Sequence, residues 1–228
     1  MYHDTGSGVY YDTGNGVYYD TGSGASNQAG SGNPQPSLPH PTDDPKNIKC
    51  GRKALLGRIV GGTKAPLGAW PWQIGIKSCA DPRCKIFCGG AIVAKKWVVT
   101  AAHCVYNLYK PDELFIEAGS VNQVNVSSHR QAFKGKEIHI HQDYKYLTYD
   151  QDIAVIKLDK EVVYNDFVRP LCLNDRKFKV DERCVVTGFG KTSKQKIRKS
   201  AFLRQATVPL VSRTTCAKVI RSGVLLKL

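Results

Sequence analysis

From Ile59 onward the chain breaks into short apolar runs separated by turn-forming residues, and this texture limits the fold more than any other feature of the sequence. The stretch "WQIGIKS" sets Trp72, Ile74 and Ile76 on alternate positions, the period of two of a half-buried strand. "DIAVIKLD" repeats the pattern with Ala154, Ile156 and Leu158, and "CVVTGFG" and "LRQATVPLV" are two further strand candidates. Many short strands predict an all-β sandwich or barrel. Helix signals are few: Ser212 is a cap candidate for "RTTCAKVI", without the Glu or Gln three residues later that completes a capping box. With 228 residues, the default is one main β domain.

The opening segment has a different character. "YHDTGSGV", "YYDTGNGV" and "YYDTGSGA" repeat with a period of eight, and "GNPQPSLPHPTDDP" follows as a Pro-rich extended linker. Gly, Ser, Asn and Tyr at this density cannot bury a core, so residues 1–49 are expected to form a disordered tail without strands. Asp-Thr-Gly occurs at Asp4, Asp12 and Asp20, and the same tripeptide carries the catalytic carboxylate of aspartic proteases. That chemistry needs two such loops held in two lobes, so repeat composition is the better account.

Eight cysteines, at 50, 79, 84, 88, 104, 172, 184 and 216, lack the paired CxxC spacing of a zinc site. Disulfides in an oxidising compartment are expected, and with them secretion. The N-terminus has neither the basic nor the apolar part of a signal peptide, so it reads as incomplete, and no run of 18 apolar residues predicts a membrane-spanning helix. Residues 1–58 hold five Lys/Arg against five Asp, so the whole net charge of +14 lies from Ile59 onward. Such a surface suits polyanions such as heparin-like glycans, whereas no aromatic-interleaved motif for nucleic acid accompanies it.

One histidine stands out. "WVVTAAHC" delivers His103 directly beside Cys104, at a strand-to-turn junction suited to a general base. "YDQDIAVIKL" supplies Asp152 at the start of an apolar run, where a buried carboxylate can fix an imidazole tautomer.

"LLGRIVGGTKAPLGAWPWQ", "WVVTAAHC" and "QDIAVIKL", in that order, resemble the chymotrypsin/trypsin family of serine endopeptidases over about residues 50–220. The resemblance implies a double β-barrel in residues 59–228, preceded by a pro-segment at 50–58; some members of the family bind calcium in a loop, but the matching "AGSVNQVNVSS" has no acidic residue between Glu117 and Ser128, so no metal and no cofactor are expected. It makes His103 the general base and Asp152 its buried orienting partner. Arg58–Ile59 becomes the activation bond, cut by an Arg-directed protease. The freed Ile59 amine then ion-pairs with an aspartate beside the nucleophile and orders the oxyanion hole. By the same template Cys88 pairs with Cys104, and Cys50 with Cys172; Cys79 and Cys84 are expected to close a small surface loop.

The sequence departs from the family at one decisive place. The catalytic serine belongs in a Gly-Asp-Ser-Gly-Gly loop, and no such loop is present. The chain is therefore read as truncated within its second barrel and inactive as written. Cys184 and Cys216 are left unpaired, and strand edges are left open. The alternative is a non-catalytic secreted homologue acting as a cationic binding or decoy protein. Asn125-Val126-Ser127 is a glycosylation sequon, and Lys191 to Lys199 reads as a solvated basic loop. His139 and His141 lie two apart on a strand without a third ligand, so no metal is expected.

Overall fold

The computed structural model describes residues 9–12, 16–17, 49–54, 63–78, 85–108, 110–125, 127–190 and 200–221. It is nearly all-β, as the strand pattern requires. Strands β1 (Val9–Asp12), β2 (Gly16–Val17) and β3 (Thr63–Lys64) precede β4 (Gln73–Ser78), β5 (Ile86–Ala94) and β6 (Trp97–Thr100). Next come β7 (Leu114–Ala118), β8 (Gln131–Ile140), β9 (Ala154–Leu158), β10 (Arg183–Gly188), β11 (Arg204–Pro209) and helix α1 (Arg213–Arg221). Strands β4-β5-β6-β9-β8-β7 close into a barrel, and β2-β1-β10-β11-β3 form a second sheet.

Closure abolishes free edges in the first unit. Its interior is filled by the alternate residues of each strand, among them Ile74, Ile76, Ile92, Val98, Leu114, Ile116, Phe133, Ile156 and Leu158. A second core joins the barrel to the sheet and contains Trp70, Trp72, Ala91, Val93, Trp97, Val99, Leu171, Val185 and Leu203. Strand β6 serves both. Val98 points into the barrel while Trp97 and Val99 point to the second core, which explains why "WVVT" is buried at every position instead of alternating.

Two glycines are required by close approach. A Cβ on Gly90 would lie 2.4 Å from the carbonyl oxygen of Val99, so β5 and β6 meet at that distance only without a side chain. Gly119 has φ +76°, and its Cβ would meet the His129 carbonyl oxygen at 2.4 Å. Gly119→Ala combines left-handed strain with a backbone clash and is expected to cost about 2–3 kcal/mol, measured by chemical denaturation. A loss under half of that would show that the 119 turn relaxes freely.

Buried polar contacts fix how the sheet sits on the barrel. Thr187 Oγ1 on β10 donates to Gln73 Oε1 on β4 at 2.6 Å, and Trp70 Nε1 donates to Gln205 Oε1 on β11 at 2.6 Å. All four side chains are buried, so each bond satisfies polar groups that water cannot reach. Thr187→Val removes the donor and is expected to destabilise the protein by about 1–3 kcal/mol, readable in a denaturation midpoint. An unchanged midpoint would discount the contact.

Within the tail, β1 pairs antiparallel with β10, and β2 folds back on β1. The expectation of a tail without strands is corrected at residues 9–12 and 16–17, where Val and Tyr, good strand formers, outweigh the Gly content. The edge of β10 is likewise paired rather than open. Ser212 Oγ accepts the Thr215 N–H at 3.1 Å, capping α1 without a capping box.

Candidate active site

Strand β6 ends at Thr100, whose hydroxyl donates to the Gly89 carbonyl at 2.8 Å, and the chain turns at once into a 3-10 turn over Ala102–Cys104. Ala102 is fully buried and anchors the turn, while His103 between two buried neighbours is half-exposed. Cys104 is bonded to Cys88 on β5. The histidine backbone is thus pinned on both sides, by apolar burial and by a covalent link.

Asp152 arrives from the other direction, two residues before β9. The Ile153 N–H donates to the Gln151 carbonyl at 2.7 Å, closing a three-residue turn centred on Asp152. Tyr149 (φ 56°) and Gln151 (φ 53°) both lie in the left-handed region, uncommon for such residues. The loop ahead of the turn is closed by Lys145 N–H to the Asp150 carbonyl at 3.0 Å and by Thr148 Oγ1 to Asp150 Oδ2 at 2.8 Å.

The two segments meet through one carboxylate. Asp152 Oδ1 accepts the backbone N–H of His103 at 2.8 Å, and Asp152 Oδ2 lies 2.7 Å from His103 Nδ1. A carboxylate at that distance requires the proton on Nδ1 of the neutral ring, which leaves the lone pair on Nε2. Their side chains are 21% and 23% exposed, so Asp152 is part-buried rather than sealed. In the loop ahead of it Tyr146, Leu147 and Tyr149 are exposed.

Aromatic side chains beside the pair were not singled out in the sequence. Tyr149 meets the His103 ring edge-on, with centroids 5.6 Å apart, and Tyr106 stacks on Tyr146 at 4.4 Å. Tyr106, Tyr144 and Tyr146 lie close to "AAHC" and "YDQD" in sequence, and Tyr149 opens the latter, a clustering that could have marked them. The Tyr144 hydroxyl is buried and makes no hydrogen bond among the described residues. Burial, with the Asp152 charge adding to it, pushes its pKa up to about 12. The folded state therefore holds this proton more tightly than the unfolded chain, whose tyrosines titrate near about 10. Stability contributed below that pH is lost as pH rises through about 12. Tyr144→Phe should flatten this alkaline loss in pH-dependent denaturation, and parallel curves for the two proteins would rule the effect out.

The remaining sequence candidates fall in several places. Cys50 is bonded to Cys172, and the segment around it is held by Gly51 N–H to the Pro170 carbonyl at 2.9 Å and Ala54 N–H to the Gly68 carbonyl at 3.1 Å. Cys184 is buried and Cys216 exposed, and neither takes part in these two disulfides. Asn125 is exposed. Arg58, Ile59, Cys79, Cys84 and residues 191–199 lie outside the described residues. His139 and His141 do not converge: His139 Nε2 is 3.2 Å from Glu137, and His141 Nδ1 accepts the Asp143 N–H at 3.2 Å. Among the described residues Cys88, His103 and Cys104 do cluster at metal-ligand spacing, yet their sulfurs are joined to each other and offer no thiolate.

Comparison with known proteins agrees with this geometry. A family model described as Trypsin matches residues 59–225. The chain is 34% identical to an ovochymase of Halocynthia roretzi over 195 residues, which is 81% of this chain and 12% of that protein. It is 37% identical to coagulation factor XI of Bos taurus over 163 residues, 70% of this chain and 25% of the relative. The chain thus spans a small part of the length of either protein. A closed six-stranded barrel packed on a partial second sheet, a histidine and an aspartate in family order and a family match over most of the chain lead to one conclusion: the chain belongs to the chymotrypsin/trypsin-like serine proteases.

Proposed function

We propose that this chain is the base-bearing part of a secreted, trypsin-like serine endopeptidase zymogen acting on protein or peptide substrates. The observation that carries the reading is the double contact of Asp152 with the backbone N–H and Nδ1 of His103. In acyl transfer His103 Nε2 takes the proton of a serine hydroxyl as its oxygen attacks the scissile carbonyl, and Asp152 stabilises the imidazolium that forms. The same imidazolium then gives its proton to the leaving amine.

Activation follows from the sequence at Arg58–Ile59. An Arg-directed protease cuts there, and Cys50–Cys172 keeps the pro-segment attached. Cleavage frees an Ile59 ammonium that is stable inside the protein only with a carboxylate partner. Secretion rests on the disulfides, which persist in oxidising compartments. Asn125 is the proposed glycan acceptor, Cys79–Cys84 the proposed surface-loop bridge, and residues 1–49, 50–58 and 59–228 the proposed tail, pro-segment and protease regions.

No Gly-Asp-Ser-Gly-Gly sequence lies between Ile59 and Leu228, so a polypeptide of these 228 residues brings the base and its partner without the nucleophile. Cleaved after Arg58, it is expected to hydrolyse no small ester and to take no label from a serine-directed fluorophosphonate. Turnover that His103→Ala abolishes would overturn this part of the reading. Transcripts extending past codon 228 should encode the missing loop in frame. The net charge of +14 supports a second reading, a non-catalytic protein binding polyanions, which requires native secreted protein ending at Leu228 that is retained on heparin beads at physiological salt.

A further inference from the structure

The basic charge is unevenly spread along the chain. Arg183 to Leu228 contain eleven Lys/Arg and no Asp or Glu, so this stretch carries +11 of the net +14, whereas Ile59 to Glu182 carry +3. Strands β10 and β11 and helix α1 lie within it. One basic residue from elsewhere joins them: β3 pairs with β11 so that Lys64 stands directly opposite Arg204. Like charges in that register, with Cβ atoms about 4.5–5.5 Å apart, ordinarily destabilise a sheet.

The pair sits in a fixed frame. Ala65 N–H donates to the Leu203 carbonyl at 2.8 Å and Leu203 N–H to the Val121 carbonyl at 2.8 Å, which ties both strands to the segment after β7. Ser200 Oγ accepts Arg204 Nε at 3.3 Å and the Phe202 N–H at 3.2 Å, and so orients the guanidinium. Lys64 is exposed, and its ammonium lies 3.7 Å from the centre of the Phe202 ring. With Phe202 half-buried and its ring capped by a cation, the pair presents charge rather than a stacking platform for bases. Gly190 and Ser200, which bracket five further Lys/Arg in the sequence, are joined beside it by Ser200 N–H to the Gly190 carbonyl at 3.1 Å.

We propose that Lys64 and Arg204 form an anion site for the sulfate groups of an extracellular sulfated glycan. The planar fork of Arg204 suits two oxygens of one sulfate as it suits phosphate, and Lys64 adds a point charge from the neighbouring strand. A bound sulfate relieves the repulsion between the two cations, and a stretch of eleven basic residues without an acid steers a polyanion towards them. The ligand class rests on the polyanion reading given above; the location of the site holds whether or not the chain is catalytic.

The test uses the full chain. Lys64→Gln with Arg204→Gln removes two charges at the pair, and Lys134→Gln with Lys136→Gln removes two exposed charges on β8 of the barrel. Titrated with a heparin oligosaccharide at physiological salt, the first double variant should bind about tenfold more weakly than wild type and the second within about twofold of it. An unsulfated glycan of the same length should bind neither wild type nor variants. Equal losses in the two double variants would assign binding to diffuse charge and overturn the site alone. No binding by wild type would overturn it together with the polyanion reading. A DNA duplex that binds as tightly as heparin, and loses as much in the first double variant, would overturn the glycan assignment. Should the Arg204 change lower the denaturation midpoint, Lys64→Gln against Lys134→Gln repeats the comparison with exposed residues alone.

Discussion

Asp152→Asn is expected to lower kcat on amide or ester substrates by about 10⁴-fold in any form of the protein that also carries the nucleophilic serine the proposed function requires. The reason lies in how one carboxylate is shared. Oδ1 holds the His103 backbone N–H, so an asparagine oxygen there preserves the 3-10 turn. Oδ2 faces Nδ1 at 2.7 Å, and an amide nitrogen in its place donates instead of accepting. The ring then accepts at Nδ1 and carries its proton on Nε2, where the lone pair is needed. The protein stays folded and loses its base. The tautomer can be read without any turnover: ¹⁵N shifts of His103 in the 228-residue chain should move the neutral ring's proton from Nδ1 to Nε2. If both nitrogens keep their wild-type shifts, Asp152 does not set the tautomer.

Removing the Cys50–Cys172 disulfide, by alanine at both positions, should cost about 5 kcal/mol by the chain-entropy relation. Its 122-residue separation makes it the larger of the two described links; Cys88–Cys104 closes only 16 residues and is worth about 3 kcal/mol on the same relation. The contrast is sharper after activation. While Arg58–Ile59 is intact the bridge closes a loop in the unfolded chain; under the proposed cleavage of that bond the bridge would join two chains, and its loss would also release residues 1–58. Urea denaturation of the uncut protein measures the first effect, and the mass of the cut protein under reduction measures the second. A loss below about 2 kcal/mol in the uncut protein would mean that the unfolded chain is already compact, so closing the loop gains little.

The barrel was legible because its strands alternate. "WQIGIKS" and "DIAVIKLD" put Ile74, Ile76, Ala154, Ile156 and Leu158 inside as the period of two selects, whereas Trp72 goes to the second core. "WVVTAAHC" was harder to place, since β6 is buried on both faces and shows no alternation; the signal came from its ending in a histidine. The pairing of the tail was not legible. In residues 1–49 Gly and Ser dominate the composition, and composition averages away the Val-Tyr-Tyr-Asp run that reaches β10. Nor does sequence register Tyr149 against His103, because that contact depends on two left-handed residues in a loop rather than on any periodic pattern.

Strand β6 also sets an order of events in folding. All six barrel strands lie between Gln73 and Leu158, a contiguous span, so the barrel can close before the chain reaches β10. Its outer face, with Trp97, Val99, Ala91 and Val93, then waits uncovered for a sheet synthesised later. That interval is when the nascent protein is most prone to associate and most in need of a chaperone. Pulse-labelled exchange should find β6 protected earlier than β10. The histidine, rooted in the early unit, is in position before the later sheet forms.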